Sequence, residues 1–115
     1  MRAAFFALAF TATALAACAP ETPEEKRARI CSDNGVVDAW SATQDAVRQR
    51  LKAPSTADFS GFSRQSTGWV SKCEFWVSGF VDSQNSFGAK LRSSYFGEAL
   101  YLPSNDQWSV KVTIK

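Results

Sequence analysis

The chain has 115 residues, enough for a single domain, and 45% of them are hydrophobic, so a packed core is expected rather than a disordered chain. The 13 basic and 11 acidic residues give a formal net charge of only +2, which provides no electrostatic basis for nucleic-acid binding. The sequence contains no histidine, the commonest general base and metal ligand. We therefore expect no metal site, no cofactor and no catalytic residue.

Residues 1–17 have the pattern of a secretory signal peptide. Arg2 precedes an uncharged, mostly apolar run at residues 3–15, which is shorter than the roughly twenty residues that a membrane-spanning helix needs. The run leads into LAAC at residues 15–18, which closely resembles the lipobox of bacterial lipoproteins. That resemblance implies a diacylglycerol thioether on Cys18, cleavage of the chain before it and an acylated amino group. Cleavage by the ordinary signal peptidase, leaving Cys18 as a free thiol, is the alternative.

The resemblance also implies a location. Several acyl chains on one residue form a durable anchor, because each buried methylene contributes about 0.8 kcal/mol and a single chain binds only weakly. The residue after Cys18 is Ala19 rather than aspartate, which in Gram-negative lipoproteins resembles the pattern of those sent to the outer membrane. We therefore expect a lipid-anchored protein of the cell envelope, at the outer membrane and facing the periplasm.

Lipidation of Cys18 leaves Cys31 and Cys73 as a pair. An exported protein meets an oxidising compartment, so we predict a disulfide between them. It would close a loop of about 43 residues, which contributes roughly 4 kcal/mol through loop-closure entropy. Two free thiols or a metal site are the alternatives, and two cysteines without histidine make a poor zinc site.

Residues 18–31 combine prolines with mixed charges, which predicts a solvated tether with helical character in its later part. An amphipathic helix of about seventeen residues follows, capped by Ser32 or Asp33 and ended near Lys52 by Pro54. Its apolar residues recur at steps of three and four along one face. The residues of that face are Val36, Trp40, Thr43, Val47 and Leu51.

After a short helical turn at 54–56, the hydrophobic period changes to two, which predicts an antiparallel meander of three or four strands. The predicted strands are a short one at 58–64 and long ones at 69–82, 89–102 and 108–115. A helix followed by strands indicates an α+β domain over residues 32–115.

The helix is expected to cover one face of this sheet. The residues of that face are Phe75, Val77, Leu91, Tyr95, Val110 and Val112. If the central hairpin pairs symmetrically about its loop, Cys73 lies opposite Gly97, which would leave room for the disulfide.

The other face of the predicted sheet carries three large aromatic residues, Trp76, Phe80 and Phe96, among polar residues such as Arg92. One helix covers one face, so these aromatics need either a second cover or a partner. The tether or the strand at 59–64 would supply the cover, and an exposed contact patch is the alternative. These four residues are the candidate partner-binding residues.

Two segments resemble a group of small exported bacterial and phage-associated proteins. LKAPSTADF at 51–59 matches the pattern L-K-x-P-S-T-A-x-F, and VDSQNSFGAKLR at 81–92 matches V-D-A-Q-N-S-F-G-A-K-x-R with Ser83 in place of alanine. The resemblance extends over roughly residues 47–92 and implies a shared fold but no activity. The polar residues at 82–86 suit a hydrogen-bonded loop, with Phe87 as its apolar plug.

These features favour a non-enzymatic, membrane-anchored periplasmic module that binds an unidentified envelope protein through its sheet. An inhibitor of an envelope-attacking hydrolase, or a binder of lipid or of a peptidoglycan fragment, is the alternative. Acid–base catalysis would have to use Glu74, Asp82 or Glu98, which lie near one face. The strand pattern buries no pair of these carboxylates, so we do not expect an enzyme.

Overall fold

The computed structural model describes residues 19–115, which form two helices and a five-stranded antiparallel sheet. The helices are α1 (Pro23–Ile30) and α2 (Val36–Arg48), and single 3-10 turns lie at Asp33–Gly35 and Pro54–Thr56. The strands are β1 (Asp58–Phe59), β2 (Thr67–Ser71), β3 (Glu74–Gln84), β4 (Lys90–Leu102) and β5 (Gln107–Ile114). The order across the sheet is β1-β3-β4-β5, and β2 pairs with β3 beside β1. The predicted α+β class is confirmed, whereas the predicted signal peptide and Cys18 lie outside the described residues.

Helix α2 begins and ends through local hydrogen bonds. The Ser32 hydroxyl accepts from the Asn34 N–H and caps the 3-10 turn that leads into the helix. The predicted end near Lys52 is wrong by about one turn. The N–H groups of Arg50 and Leu51 donate three residues back, to Val47 and Arg48, and this tighter winding closes the helix at Arg48.

The core lies between α2 and the inner face of the sheet. Its buried residues are Val36, Ala39, Val47, Phe75, Val77, Val81, Tyr95 and Ala99. The inner face is the predicted one, but Leu91, which shares this side with Tyr95, is 55% exposed rather than covered. Because α2 ends at Arg48, no helical turn reaches over Leu91.

Gly97 sets how closely α2 approaches the sheet. A Cβ at this position would lie 2.5 Å from Cγ2 of the buried Thr43, so only glycine permits the observed contact. The prediction that Cys73 lies opposite Gly97 is wrong. The β3–β4 hairpin pivots on Phe87, which places Val77 opposite Gly97 and brings Cys73 beside Tyr101.

The predicted strand at 69–82 is two strands. The chain reverses at Lys72 and Cys73, so β2 folds back on β3, with Thr67 opposite Val77 and Trp69 opposite Phe75. Cys73 adopts a left-handed conformation with φ of 64°, which is unusual for any residue but glycine. The reversal therefore lacks the glycine, proline or asparagine by which turns are recognised.

The segments next to β1 and β4 also differ from expectation. The strand predicted at 58–64 is reduced to the two residues of β1. In the β3–β4 loop, Asn85 Oδ1 accepts from the N–H groups of Phe87 and Ala89, as expected of a hydrogen-bonded loop. The prediction that Phe87 plugs this loop is wrong, since its side chain is 94% exposed at the hairpin tip.

Helix α1 lies in the segment predicted as a tether. Thr22 caps it, and its last residue, Ile30, is buried against Cys73 and Tyr101. The Lys26 ammonium lies 3.0 Å from the Asp106 carboxylate, in the turn between β4 and β5. The later part of the predicted tether is therefore a helix fixed to the domain.

Candidate interaction surface on the open face of the sheet

The outer face of the sheet, opposite α2, is the candidate functional site. We define the aromatic face as the outward side chains of β3 and β4 at Trp76, Phe80, Phe96 and Leu100. Alternation along the strands places them there, because their neighbours Phe75, Val77 and Tyr95 point into the core. Phe80, Phe96 and Leu100 are 37%, 44% and 40% exposed.

Neither segment that was considered as a cover lies on the aromatic face. The Phe59 ring packs edge-on against Tyr95, and the Phe62 ring packs edge-on against Trp40 of α2, so both rings lie on the inner side. The end of α1 packs against Cys73 and Tyr101. Of the two alternatives left open by the sequence, the described residues 19–115 therefore favour exposure.

Trp76 and Phe96 form the centre of the aromatic face. Their rings are stacked, with centroids 6.4 Å apart and planes inclined by 12°. Gly68 on β2 makes room for the indole, since a Cβ there would lie 2.1 Å from Trp76 Nε1. The indole is thus held flat between a neighbouring strand and a second aromatic ring.

Arg92 joins the aromatic face to an ion pair. Its guanidinium carbon lies 3.9 Å from the centroid of the Phe80 ring, a cation–π contact. Its Nε and Nη2 donate to the two carboxylate oxygens of Asp82, at 2.8 and 3.0 Å. These hydrogen bonds lower the pKa of Asp82 and raise the pKa of Arg92. Phe80, Asp82 and Arg92 are therefore linked by one cation–π contact and one bidentate ion pair.

Charged residues surround the stacked rings. Glu98 is opposite Trp76 on one side and Lys111 on the other in the strand register. Glu74 accepts a hydrogen bond from the Ser71 hydroxyl at 2.8 Å. Aromatic rings with fixed charges at their rim suit binding by stacking and ion pairing.

The three candidate carboxylates lie on the outer side of β3 and β4. Asp82 is held ionised by Arg92, so it cannot serve as a general acid near neutral pH. Glu74 and Glu98 lie on the paired strands β3 and β4, opposite Leu100 and Trp76, and are therefore diagonal neighbours on this face. Within residues 19–115, no cluster of three or more acidic, histidine or cysteine residues is arranged to hold a metal ion.

No protein-family model, curated protein or solved structure matches the chain. Among the described residues, no helix is both long and apolar enough to cross a bilayer.

The predicted disulfide between Cys31 and Cys73 is present. It joins the end of α1 to the β2–β3 turn, next to the buried side chains of Ile30 and Tyr101. The link lies at the opposite end of β3 from the Phe87 loop.

Sequence reasoning found three members of the aromatic face and missed two positions that shape it. Leu100 shares the alternation of Phe96 and Glu98, so the period alone predicts its outward direction. Nothing in the sequence indicates that Gly68 lies beside the Trp76 indole, because this contact depends on the pairing of β2 with β3.

Proposed function

We propose that the protein is a lipid-anchored module of the cell envelope that binds a protein partner through its aromatic face and catalyses no reaction. The observation that carries the proposal is the exposure of Phe80, Phe96 and Leu100 around the half-buried Trp76. Contiguous exposed apolar side chains with a polar rim are typical of protein-binding surfaces.

The composition of the face supports a protein partner. Tryptophan, phenylalanine and arginine are enriched in protein interfaces, and tryptophan and arginine are also frequent among the residues that contribute most binding energy. The Trp76–Phe96 stack and the Arg92–Asp82 ion pair restrict these side chains before binding, which lowers the side-chain entropy lost on binding. This preorganisation favours recognition over a role in which the rings only fill space.

The first experiment tests the aromatic face. A photo-crosslinking amino acid is placed at position 96 or, as a matched control, at position 87, where the native phenylalanine is exposed but lies at the hairpin tip. In intact envelopes we expect one defined adduct from position 96 and none of that mass from position 87. Phe80→Ser with Phe96→Ser should abolish the adduct formed from a probe at position 100, while Phe87→Ser should not.

Other outcomes of this experiment would count against the proposal. Identical adducts from both positions would show that the aromatic face has no special role. Unfolding of the Phe80→Ser, Phe96→Ser protein would show that these rings serve the core. A thermal shift with lipid or with purified peptidoglycan fragments, and no protein adduct, would favour the alternative ligand class. A cell-wall hydrolase as the adduct would favour the inhibitor function.

The second experiment tests the anchor. We expect metabolic labelling with a fatty-acid probe to mark the protein, and Cys18→Ala to abolish the label and release the protein from membranes, because lipoprotein modification requires the cysteine thiol. Cys31→Ser with Cys73→Ser is the control and should keep the label. An unlabelled wild-type protein in the soluble fraction would contradict the anchoring.

A further inference from the structure

The outer edge of β5 offers unpaired main-chain groups. Ser94 and Lys115 exchange both of their main-chain hydrogen bonds, and the register from there to Gln107 is continuous. In an antiparallel pair, alternate residues face the partner strand, so the N–H and C=O groups of the intervening residues face away from β4. These residues are Trp108, Val110, Val112 and Ile114.

Only one of these outward groups has a partner among residues 19–115. The Arg50 guanidinium, just beyond α2, donates to the Val112 carbonyl. The edge of β5 is otherwise open over eight residues, without a proline or a bulge. On the other side of the sheet the edge is divided between the short β1 and the irregular β2. Strand β5 is therefore the best template for an added strand in the described part of the chain.

A groove runs beside this edge on the inner side of the sheet. It has a volume of about 300 Å³ and is lined by Ala42, Asp45 and Ala46 of α2, by Gln49 just after it, and by Trp108 and Val110 of β5. The small alanine side chains leave space next to the half-buried Trp108 and Val110. Apolar side chains from an added strand would fill that space at every second position.

The outer side of β5 has the opposite character. Lys111 and Lys115 point to that side together with Ser109 and Thr113, and all four are exposed. Glu98 of β4 lies next to Lys111 on one flank, and the flank towards the open edge is unoccupied. Opposite charges on neighbouring strands stabilise pairing, so an added strand should carry acidic residues on its outer side.

We propose that the β5 edge binds an extended segment of a partner protein, in which apolar residues facing α2 alternate with acidic residues facing Lys111. The segment adds as a further antiparallel strand, as in other cases of β-strand addition. A second copy of this chain fits poorly, because antiparallel pairing of two β5 strands brings the lysines of both copies close together. The proposal concerns the main-chain edge of β5, which adjoins the charged rim of the aromatic face at Lys111, and its test by amide exchange at Val110 and Ile114 does not depend on the proposed function.

A peptide experiment tests the proposal on the whole domain. The probe is a synthetic peptide of about ten residues in which valine alternates with glutamate, and the control peptide has lysine in place of glutamate. With the glutamate peptide we expect amide exchange to slow by roughly tenfold or more at Val110 and Ile114, and not at Lys111, whose N–H already faces β4. One opposite-charge pair predicts a roughly threefold preference for the glutamate peptide.

Two variants decide whether the edge itself is responsible. Val110→Pro removes an outward N–H without touching the β4 ladder, and should abolish peptide protection, whereas Val110→Ala retains the N–H and should bind. Exchanging the charges with Glu98→Lys and Lys111→Glu keeps the cross-strand pair of opposite charges and replaces the positive charge on β5 with a negative one. The exchange should reverse the peptide preference.

Three results would overturn the proposal. One is amide exchange at Val110 and Ile114 that neither peptide slows, even at the highest concentration at which the peptide is soluble. Another is equal binding of the two peptides, both to the wild-type protein and to the charge-exchanged protein. This comparison does not depend on whether the Val110→Pro protein folds. The third is self-association through β5 that is unaffected by peptide, which would assign the edge to a second copy.

Discussion

At the scale of single residues, Gly97 controls the spacing between α2 and the sheet. Its missing side chain admits Thr43, whose Cγ2 would lie 2.5 Å from a Cβ at position 97. Thr43 is fully buried and donates a hydrogen bond to the Ala39 carbonyl, so it has no exposed rotamer to adopt. We predict that Gly97→Ala lowers the free energy of unfolding by about 1–3 kcal/mol, as overpacking of a core does. Urea denaturation would measure the loss.

A double variant identifies the contact responsible. Thr43→Ser removes Cγ2 and keeps the hydroxyl that donates to Ala39. If the clash with Cγ2 is the cause, Gly97→Ala should cost clearly less in the Thr43→Ser background than in the wild type. Equal costs in the two backgrounds would show that the strand backbone, rather than the approach of α2, requires glycine at position 97.

At the scale of elements, hydrophobic periodicity predicted the regular helix and strand faces and missed the chain reversal between β2 and β3. The α2 face, the alternation of β4 and β5 and the outward direction of Trp76, Phe80 and Phe96 follow from residue spacing. The β2–β3 reversal could not be predicted, because hydrophobic alternation continues through it and a cysteine adopts the left-handed conformation. The contact of Gly68 with the Trp76 indole could not be predicted either, because it exists only when β2 folds back on β3.

The disulfide matters most for the elements that it joins, namely α1 and the β2–β3 turn. It spans a sequence separation of 42 residues, and loop closure of that length contributes roughly 4 kcal/mol. We predict that Cys31→Ser with Cys73→Ser lowers the free energy of unfolding by about 2–5 kcal/mol.

Thermal and urea unfolding would measure this loss, with Cys18→Ser present in both proteins so that neither carries the thiol at position 18. Amide exchange should also become faster at Ile30, since α1 is otherwise held by the burial of Ile30 and by two ion pairs, Lys26 with Asp106 and Arg29 with Asp38. Unchanged stability after removal of both cysteines would show that these contacts alone hold α1.

At the scale of the whole molecule, the two ends of the sheet differ. Helix α1, the disulfide and the β4–β5 turn lie together at one end, as the contacts of Ile30 and Lys26 show. The loop with Phe87 lies at the other end, beyond the eleven residues of β3. A strand of that length spans about 36 Å. An anchor preceding α1 would therefore leave the Phe87 loop at the end of the domain far from the membrane.

This arrangement makes a prediction about the anchored protein. If Cys18 is lipidated as proposed, the lipidated chain can be placed in vesicles that contain lipids with a quenching group, with a fluorescent amino acid at position 22 or at position 87. Thr22 directly precedes α1, so we expect strong quenching at position 22 and little at position 87. Stronger quenching at position 87 would mean that the exposed Phe87 inserts into the bilayer and that the domain lies along the membrane. The aromatic face and the β5 edge would then be oriented by both ends of the sheet, and a partner would have to approach them parallel to the membrane surface.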